Sequence, residues 1–222
     1  RPLPRDLAVK PASPMAQMSA VVLAAGQSRR MGKINKLTAV VAGKPVIRHV
    51  VDTVLEAGLK DIVVVLGYDE QAVSACLEGL PVRFVKNEAF RSGQASSVSA
   101  GIAALDNNVS DVMVVLGDMP LLNAALLNNL HLHHMRNPQH EQLISLPVCL
   151  KDRESQVGHP VIWGRQFFPD LQALTGDQGG RQIWSDHPAI INQMDVEDAT
   201  LFLDTDTAEA LRQAEVLLYA RN

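Results

Sequence analysis

Residues 19–32 read SAVVLAAGQSRRMG. Ser19–Leu23 with Ala24 and Ala25 is a short apolar run that stops at Gly26, the pattern of a strand buried on both faces of a parallel sheet. A polar, glycine-containing loop follows. Ile47, Val50, Val51, Val54 and Leu55 then recur at helical spacing, and Gly58 closes the helix. Asp61 opens a second apolar run, IVVVLG. Strand, loop, amphipathic helix and strand form the unit from which open α/β sheets are built, so this opening already predicts the fold class.

The unit repeats along the chain. Asp69–Leu77 predicts a short helix, Val82–Val85 a third strand, and Ser96–Leu105 a helix with small residues on several faces. Val112–Leu116 predicts a further buried strand that stops at Gly117-Asp118, and Leu121–Met135 a long helix. The second half is less regular. Leu143–Val148 and Val161–Trp163 predict strands flanking a polar excursion, KDRESQVGHP, in which residues 151–154 are expected to form a solvated tip. Short helices are expected over Gln166–Leu174 and Gln178–Ser185, strands at Ile190–Met194 and Leu201–Leu203, and a last helix over Thr207–Leu218. The whole predicts one α/β domain over residues 19–222, a doubly wound, mainly parallel, Rossmann-like sheet.

Composition narrows the function. At 222 residues and 47% hydrophobic content the chain can bury a large core, and a formal net charge of -4 argues against a general nucleic-acid binder. No stretch approaches the ~20 apolar residues that span a bilayer, so no membrane partner is expected. Residues 1–18 carry four prolines in the first fourteen positions and no periodicity. They are expected to be a flexible leader without the features of a secretory signal, with Met15 or Met18 a candidate natural start. Cys76 and Cys149 lie far apart in apolar surroundings and are expected to be buried reduced thiols, as suits a cytoplasmic protein.

Open α/β sheets bind ligands outside the carboxyl ends of their strands, which is where the chemically interesting residues fall. Gly26 and Gly32 permit close backbone approach to a polyphosphate, and Arg30 and Lys36 supply cations. Neither the Walker loop nor the G-x-G-x-x-G dinucleotide fingerprint occurs, and a solvated basic turn is the plainer alternative. Asp118, at a strand end, can hold Mg²⁺ or merely shape a turn. Asp204 and Asp206 share a face of an extended segment and can converge on one cation, unless Asp206 caps the last helix. His131 and His134 are spaced to share a ligand, yet with His133 they read as exposed histidines favoured at a helix C-terminus.

Taken together, LAAGQSRRMG with Lys36, GDMP at 117–120, GHPVIW at 158–163, LTGDQGGR at 174–181 and DTDTAEAL at 204–211 stand in the order found in molybdenum cofactor cytidylyltransferases. The chain resembles that family, a branch of the NTP nucleotidyltransferases, from about Ser19 to Leu211. The resemblance implies a nucleotidyltransferase that moves CMP from CTP to the terminal phosphate of molybdopterin, with Mg²⁺ as cofactor. It implies that Leu23, Ala24, Ala25, Gly26, Ser28, Arg29 and Gly32 wrap the nucleotide, with Arg30 and Lys36 on the triphosphate. It places Gly93, Gln94 and Ser97 beside the base. Asp118 would bind Mg²⁺ together with Asp204 or Asp206. His159, Asp177, Gly179 and Arg181 would approach the pterin, and a client molybdoenzyme or its chaperone would receive the product.

In this branch LAAG resembles the cytidylyl-transferring members and LAGG the guanylyl-transferring ones, so Ala25 favours CTP over GTP. Two positions depart from the usual pattern, Gly180 for alanine and Ala208 for proline; neither removes a charge. Alternatives are guanylyl transfer, transfer to a sugar or alcohol phosphate, and a cofactor-binding chaperone without turnover. An NAD-dependent oxidoreductase is a further alternative, against which the missing dinucleotide fingerprint counts.

Overall fold

β1 (Met18–Ala24) is buried over its entire length. After it come the short strands β2 (Val40–Val41) and β3 (Lys44–Pro45), α1 (Val46–Glu56), β4 (Asp61–Leu66), α2 (Glu70–Ala75), β5 (Arg83–Lys86), α3 (Gln94–Ala103) and β6 (Asp111–Leu116). The second half carries α4 (Ala124–Met135), β7 (Ile144–Lys151), β8 (Glu154–Val157), β9 (Val161–Gly164), α5 (Phe168–Ala173), α6 (Arg181–Ser185), β10 (Ile191–Asp195) and α7 (Ala208–Arg221). The computed structural model describes residues 18–27, 35–151, 154–177, 179–185 and 188–221. The expected leader up to residue 17, most of the loop after β1 (Ser28, Arg29, Arg30 and Gly32 included) and residues 152–153 of the expected solvated tip therefore lie outside the described residues.

The main sheet has the order β10-β7-β9-β6-β1-β4-β5, with β8 added against β7. β1 runs parallel to both neighbours, Leu23 lying opposite Val65 of β4 and Leu116 of β6. β4/β5 and β7/β10 are parallel as well, whereas β9 is antiparallel to β6 and β7. Successive residues of a strand face opposite sides, so both faces of these apolar strands need cover. Ala20, Val22 and Ala24 pack toward Val50 and Val54 of α1 and Leu127 and Leu130 of α4. Val21 and Leu23 pack on the other side with Val98 and Ile102 of α3 and Leu171 of α5. The small residues of α3 have a physical reason, since a Cβ at Gly101 would overlap the Val21 side chain. The sheet is doubly wound.

Several elements differ from expectation. The polar excursion after β7 contains a strand: β8 pairs antiparallel with β7, Val157 opposite Val148. Leu201–Leu203 is not a strand; Ala199–Phe202 forms a 3₁₀ turn capped by Asp198, whose Oδ1 accepts from Thr200 N at 2.9 Å. Such side-chain-to-backbone bonds offer the chain an alternative to sheet pairing. Phe202 is buried there against Gly158, where a Cβ would overlap its ring. α4 starts only at Ala124, because the Asn123 side chain caps it by accepting from Leu126 N at 2.8 Å.

The histidines of α4 are the largest correction. His131 and His134 are buried rather than exposed, because this face of the helix packs onto the sheet. Cys149 is buried as expected, whereas Cys76 is half-buried, and both are free thiols. Among the described residues no helix is long and apolar enough to cross a membrane.

Candidate active site

β1, β4 and β6 end side by side, and their carboxyl-terminal turns are bonded together. Gly117 N donates to Leu23 O at 3.0 Å and Tyr68 N to Ala25 O at 3.4 Å. A Cβ at Gly117 would stand 2.7 Å from Leu23 O and 2.8 Å from Ile47 Cδ1, so only glycine lets the β6 turn close on β1. That closure delivers Asp118 to the strand end.

Lys36 reaches the same point from the loop after β1. Asn35 is buried, and its Oδ1 accepts from Leu37 N at 3.0 Å while its Nδ2 donates to Asp69 at 3.3 Å, which fixes the backbone next to Lys36. The Lys36 ammonium donates to Asp118 Oδ2 at 2.5 Å and also to Asp206. Asp206 is brought there by Thr205, whose N–H and hydroxyl both donate to the Asp118 carbonyl oxygen at 3.0 Å. Thr205 is fully buried, so this double bond pins the Asp204–Asp206 segment onto the β6 turn. Asp206 does not cap the last helix; Thr207 does, its Oγ1 accepting from Ala210 N at 3.1 Å.

The charges of this cluster are strongly coupled. Burial alone would lower the Lys36 pKa, but Asp118 first and Asp206 second outweigh it and hold the ammonium above its ordinary value. Desolvation raises the Asp204 pKa, and the carboxylates of Asp206 and Asp118 raise it further. Among the described residues, the carboxylates of Asp118, Asp204 and Asp206 outnumber the Lys36 ammonium at this strand end. Hard oxygen donors around such a point fit a divalent cation of the Mg²⁺ type.

Two cavities lie at these strand ends, and Lys36 and Asp118 line the smaller of them. The smaller, about 360 Å³, is lined by Ala25, Gly26, Lys36, Gly93, Ser97 and Asp118 among others. The larger, about 740 Å³, is walled by His159, Trp163, Arg181 and Trp184. Leu23, Gln94 and Asp177 line both, so the two spaces meet at these residues. Gly93, just before α3, makes the junction possible. Its φ is 117°, and a Cβ would overlap Asp177 Oδ1 and lie 2.5 Å from Gly176 O. Ala95 N donates to Gly176 O at 3.2 Å, joining the two loops. Asn87 steadies the start of α3 by donating to the hydroxyls of Ser96 at 2.9 Å and Ser97 at 3.0 Å.

Trp163 and Trp184 stack with centroids 5.7 Å apart and planes 20° from parallel, forming an aromatic wall. Gly180 packs against that wall, and a Cβ there would overlap the Trp163 ring. The glycine that departs from the family's usual alanine is thus matched to a bulky neighbour.

Leu23, Ala25, Gly26, Lys36, Gly93, Gln94, Ser97 and Asp118 come together around the smaller cavity, and His159, Asp177 and Arg181 around the larger. Gly179 packs against Gln94. Ala24 does not join them; its side chain faces the α1 side of the core. Asp204 lies in a separate recess with Gln156 and Phe202. Asn35, Asn87 and Thr205 were not singled out from sequence. Asn35 and Thr205 each stand next to a charged residue that was, and that adjacency was the available signal.

His159 gives a pH prediction. Burial pushes its pKa from 6.5 to about 4, against the opposing Asp118 charge and a hydrogen bond to the Val114 backbone. Its Nδ1 is buried without a hydrogen-bond partner among the described residues. Below pH 6.5 the unfolded chain binds a proton that the folded one refuses, so stability falls as pH drops from 6.5 toward 4 and changes no further below that. The ring also borders an open cavity, which screens part of the effect, so a loss of about 2 kcal/mol is expected. Urea unfolding at both ends of this window should show that loss in the wild type and not in His159→Gln; equal pH slopes would contradict it.

Sheet, strand-end loops and paired cavities define a nucleotide-binding α/β protein of the nucleotidyltransferase class. The chain belongs to the MobA-like NTP transferase domain family, which matches residues 20–191. It is 29% identical over 195 residues to the nicotine blue oxidoreductase of Paenarthrobacter nicotinovorans, covering 87% of this chain and 94% of that protein. A stretch of 132 residues, 59% of the chain, is 36% identical to the bifunctional protein GlmU of Syntrophomonas wolfei, of which it spans only 29%. Rv0371c of Mycobacterium tuberculosis, solved in complex with manganese, superposes with a TM-score of 0.71 at 25% identity over 91% of this chain and 99% of that one.

Proposed function

We propose that this protein transfers CMP from CTP to the terminal phosphate of a molybdopterin-type acceptor and releases pyrophosphate. The observation that carries the reading is the meeting of two cavities at Leu23, Gln94 and Asp177, beside the Asp118–Lys36–Asp206 cluster. A two-substrate transfer needs the donor's α-phosphorus and the acceptor's oxygen at one such junction.

The smaller cavity takes the nucleotide. Gly26 offers backbone without side-chain bulk to the phosphates, and Gly93, Gln94 and Ser97 line the base side of the same cavity. The larger cavity takes the acceptor: the Trp163–Trp184 wall suits a flat heterocycle, and Arg181 suits its phosphate. The acceptor phosphate oxygen forms a bond to the α-phosphorus while the bond to the β-phosphate oxygen breaks, and pyrophosphate carries away the electron pair. An ionised phosphate needs no general base. Lys36 exchanges its carboxylate partners for phosphate oxygens and offsets charge gathering on the leaving group. Asp118, with Asp204 or Asp206, would hold Mg²⁺, which neutralises phosphate charge when bound. The manganese complex of Rv0371c supports a divalent cation in this architecture. The product would pass to a client molybdoenzyme or its chaperone.

Pyrophosphate release with Mg²⁺, molybdopterin and each NTP in turn tests the reading. Release with CTP alone is the expected result, and release with no NTP would overturn it. The likeness to a protein named as an oxidoreductase favours a second reading, reduction of a flat heteroaromatic in the tryptophan-walled cavity. Oxidation of NADH or NADPH without pyrophosphate release would select that reading.

Base choice is expected to turn on Ala25, which lines the nucleotide cavity beside Gly67, where a Cβ would stand 2.7 Å from the Ala25 methyl. Ala25→Gly removes that methyl and should raise kcat/KM for GTP relative to CTP by about tenfold, within the ~1–3 kcal/mol that one methyl can discriminate. An unchanged ratio would move base selection to Gly93–Ser97.

A further inference from the structure

Asp111 opens β6, at the other end of the strand from Asp118, and a second polar cluster is buried there. Asp111 is 1% exposed. Its Oδ1 accepts from His134 Nε2 at 2.9 Å and from His140 Nδ1 at 3.0 Å, and its Oδ2 accepts from the Ser110 hydroxyl at 2.7 Å. Among the described residues the only side chains in ion-pair range of Asp111 are these two imidazoles. The three donor atoms lie within 4.8 Å of one another. They come from three separate elements: β6, the last turn of α4, and the 3₁₀ turn His140–Gln142 that leads into β7.

We propose that Asp111, His134 and His140 form a transition-metal site of the Zn²⁺ class. Two imidazole nitrogens and one carboxylate oxygen are a donor set that favours zinc-like ions over Mg²⁺. The geometry is close to what binding needs. Bonds of about 2.0–2.2 Å at tetrahedral angles separate ligand atoms by roughly 3.4 Å, so the two spacings to Asp111 Oδ1 need to open by about 0.4–0.5 Å. Outer-shell support is already in place. His134 Nδ1 is 2.7 Å from the Ser145 hydroxyl, which also accepts from Asn192 Nδ2 at 3.0 Å. Metal-bound histidines are oriented through their second nitrogen in this way.

An independent observation points to a missing ligand. His131, one helical turn before His134 on the same face of α4, is 4% exposed, and its Nδ1 is buried without a hydrogen-bond partner among the described residues. A buried nitrogen left unpaired is costly, and a metal-bound water in the fourth position would give it a donor. None of the three residues lines either cavity, so the role of the site is structural: it pins β6, α4 and the turn before β7 together.

Co²⁺ titration of the chelator-stripped protein tests this, with visible d–d absorption and Tm as readouts. Equimolar Co²⁺ is expected to give a four-coordinate spectrum that Zn²⁺ abolishes and millimolar Mg²⁺ does not. Zn²⁺ at a hundredfold excess over Kd should raise Tm by about 5 °C. His140→Asn, at a position whose side chain is 18% exposed, should keep the metal-free fold and lose at least about tenfold in Co²⁺ affinity. His140→Cys should retain binding and add a thiolate-to-cobalt charge-transfer band. Asp118→Asn should leave the spectrum unchanged, separating this site from the strand-end carboxylates. No spectrum and no Tm shift in the wild type, or a spectrum that survives His140→Asn, would overturn the proposal.

Discussion

Replacing Asp118 with alanine is expected to lower pyrophosphate release by about a thousandfold while leaving the fold in place. The carboxylate is 16% exposed and belongs to a cluster in which Lys36 is held between Asp118 and Asp206. What holds the surrounding loops is the Asp118 backbone, whose carbonyl oxygen receives both Thr205 bonds and would keep them in the variant. Activity and stability are therefore separable at this residue. Lys36 would remain paired to Asp206, and the cluster would lose one of its hard oxygen ligands. Single-turnover pyrophosphate release with a thermal melt of the same sample checks both parts. Asp118→Asn, which keeps shape and removes charge, should lose nearly as much. Turnover within tenfold of wild type in either variant would take Asp118 out of the chemistry.

The fold was legible because its signal is local and repeated. The apolar runs at Val21–Leu23, Val63–Leu66 and Val112–Leu116 need cover on both faces, and that requirement alone selects a doubly wound sheet. The second half was less legible because its structure is decided by pairing and capping. β8 is a strand of exposed residues recognisable only from its partner β7, and Leu201–Phe202 is apolar enough for a strand but is turned by Asp198. The burial of the α4 histidines is hidden in the sequence for a related reason. An imidazole reads as polar in sequence, and nothing near it in the chain reveals that Asp111, from another element, waits for it in the core.

The residues of the candidate site were legible in type and less so in arrangement. Lys36, Asp118 and Asp206 are far apart in sequence, yet each follows a recognisable punctuation, and the structure brings all three to one point. What sequence could not supply is the joinery. Thr205, between two acids that draw attention, carries the bonds that position them, and Asn35 does the same beside Lys36. Ala24 differs in another way: it stands within the nucleotide motif, but alternation along β1 turns its side chain to the core.

Gly93→Ala should produce the second large loss, and by a different route. Gly93 has φ 117° and ψ 177°, a region essentially closed to L side chains, so the substitution carries about 1–3 kcal/mol of backbone strain before any contact is counted. The added Cβ also overlaps Asp177 Oδ1 and lies 2.5 Å from Gly176 O, where neither φ nor a rotamer of residue 93 offers relief. The loop carrying Asp177 must then move away from α3, straining the Ala95 N to Gly176 O bond at 3.2 Å. Asp177 and Gln94 line both cavities, so the displacement falls where donor and acceptor would meet. A misplacement of that order at a reaction junction costs about a hundredfold in rate. Each substrate keeps most of its own cavity, so kcat is expected to fall by about that factor while KM for the nucleotide changes little. A Tm lowered by several degrees should accompany it. Separate measurement of kcat and KM decides the matter: a raised nucleotide KM with unchanged kcat would place Gly93 in base binding alone and leave the junction without its proposed role.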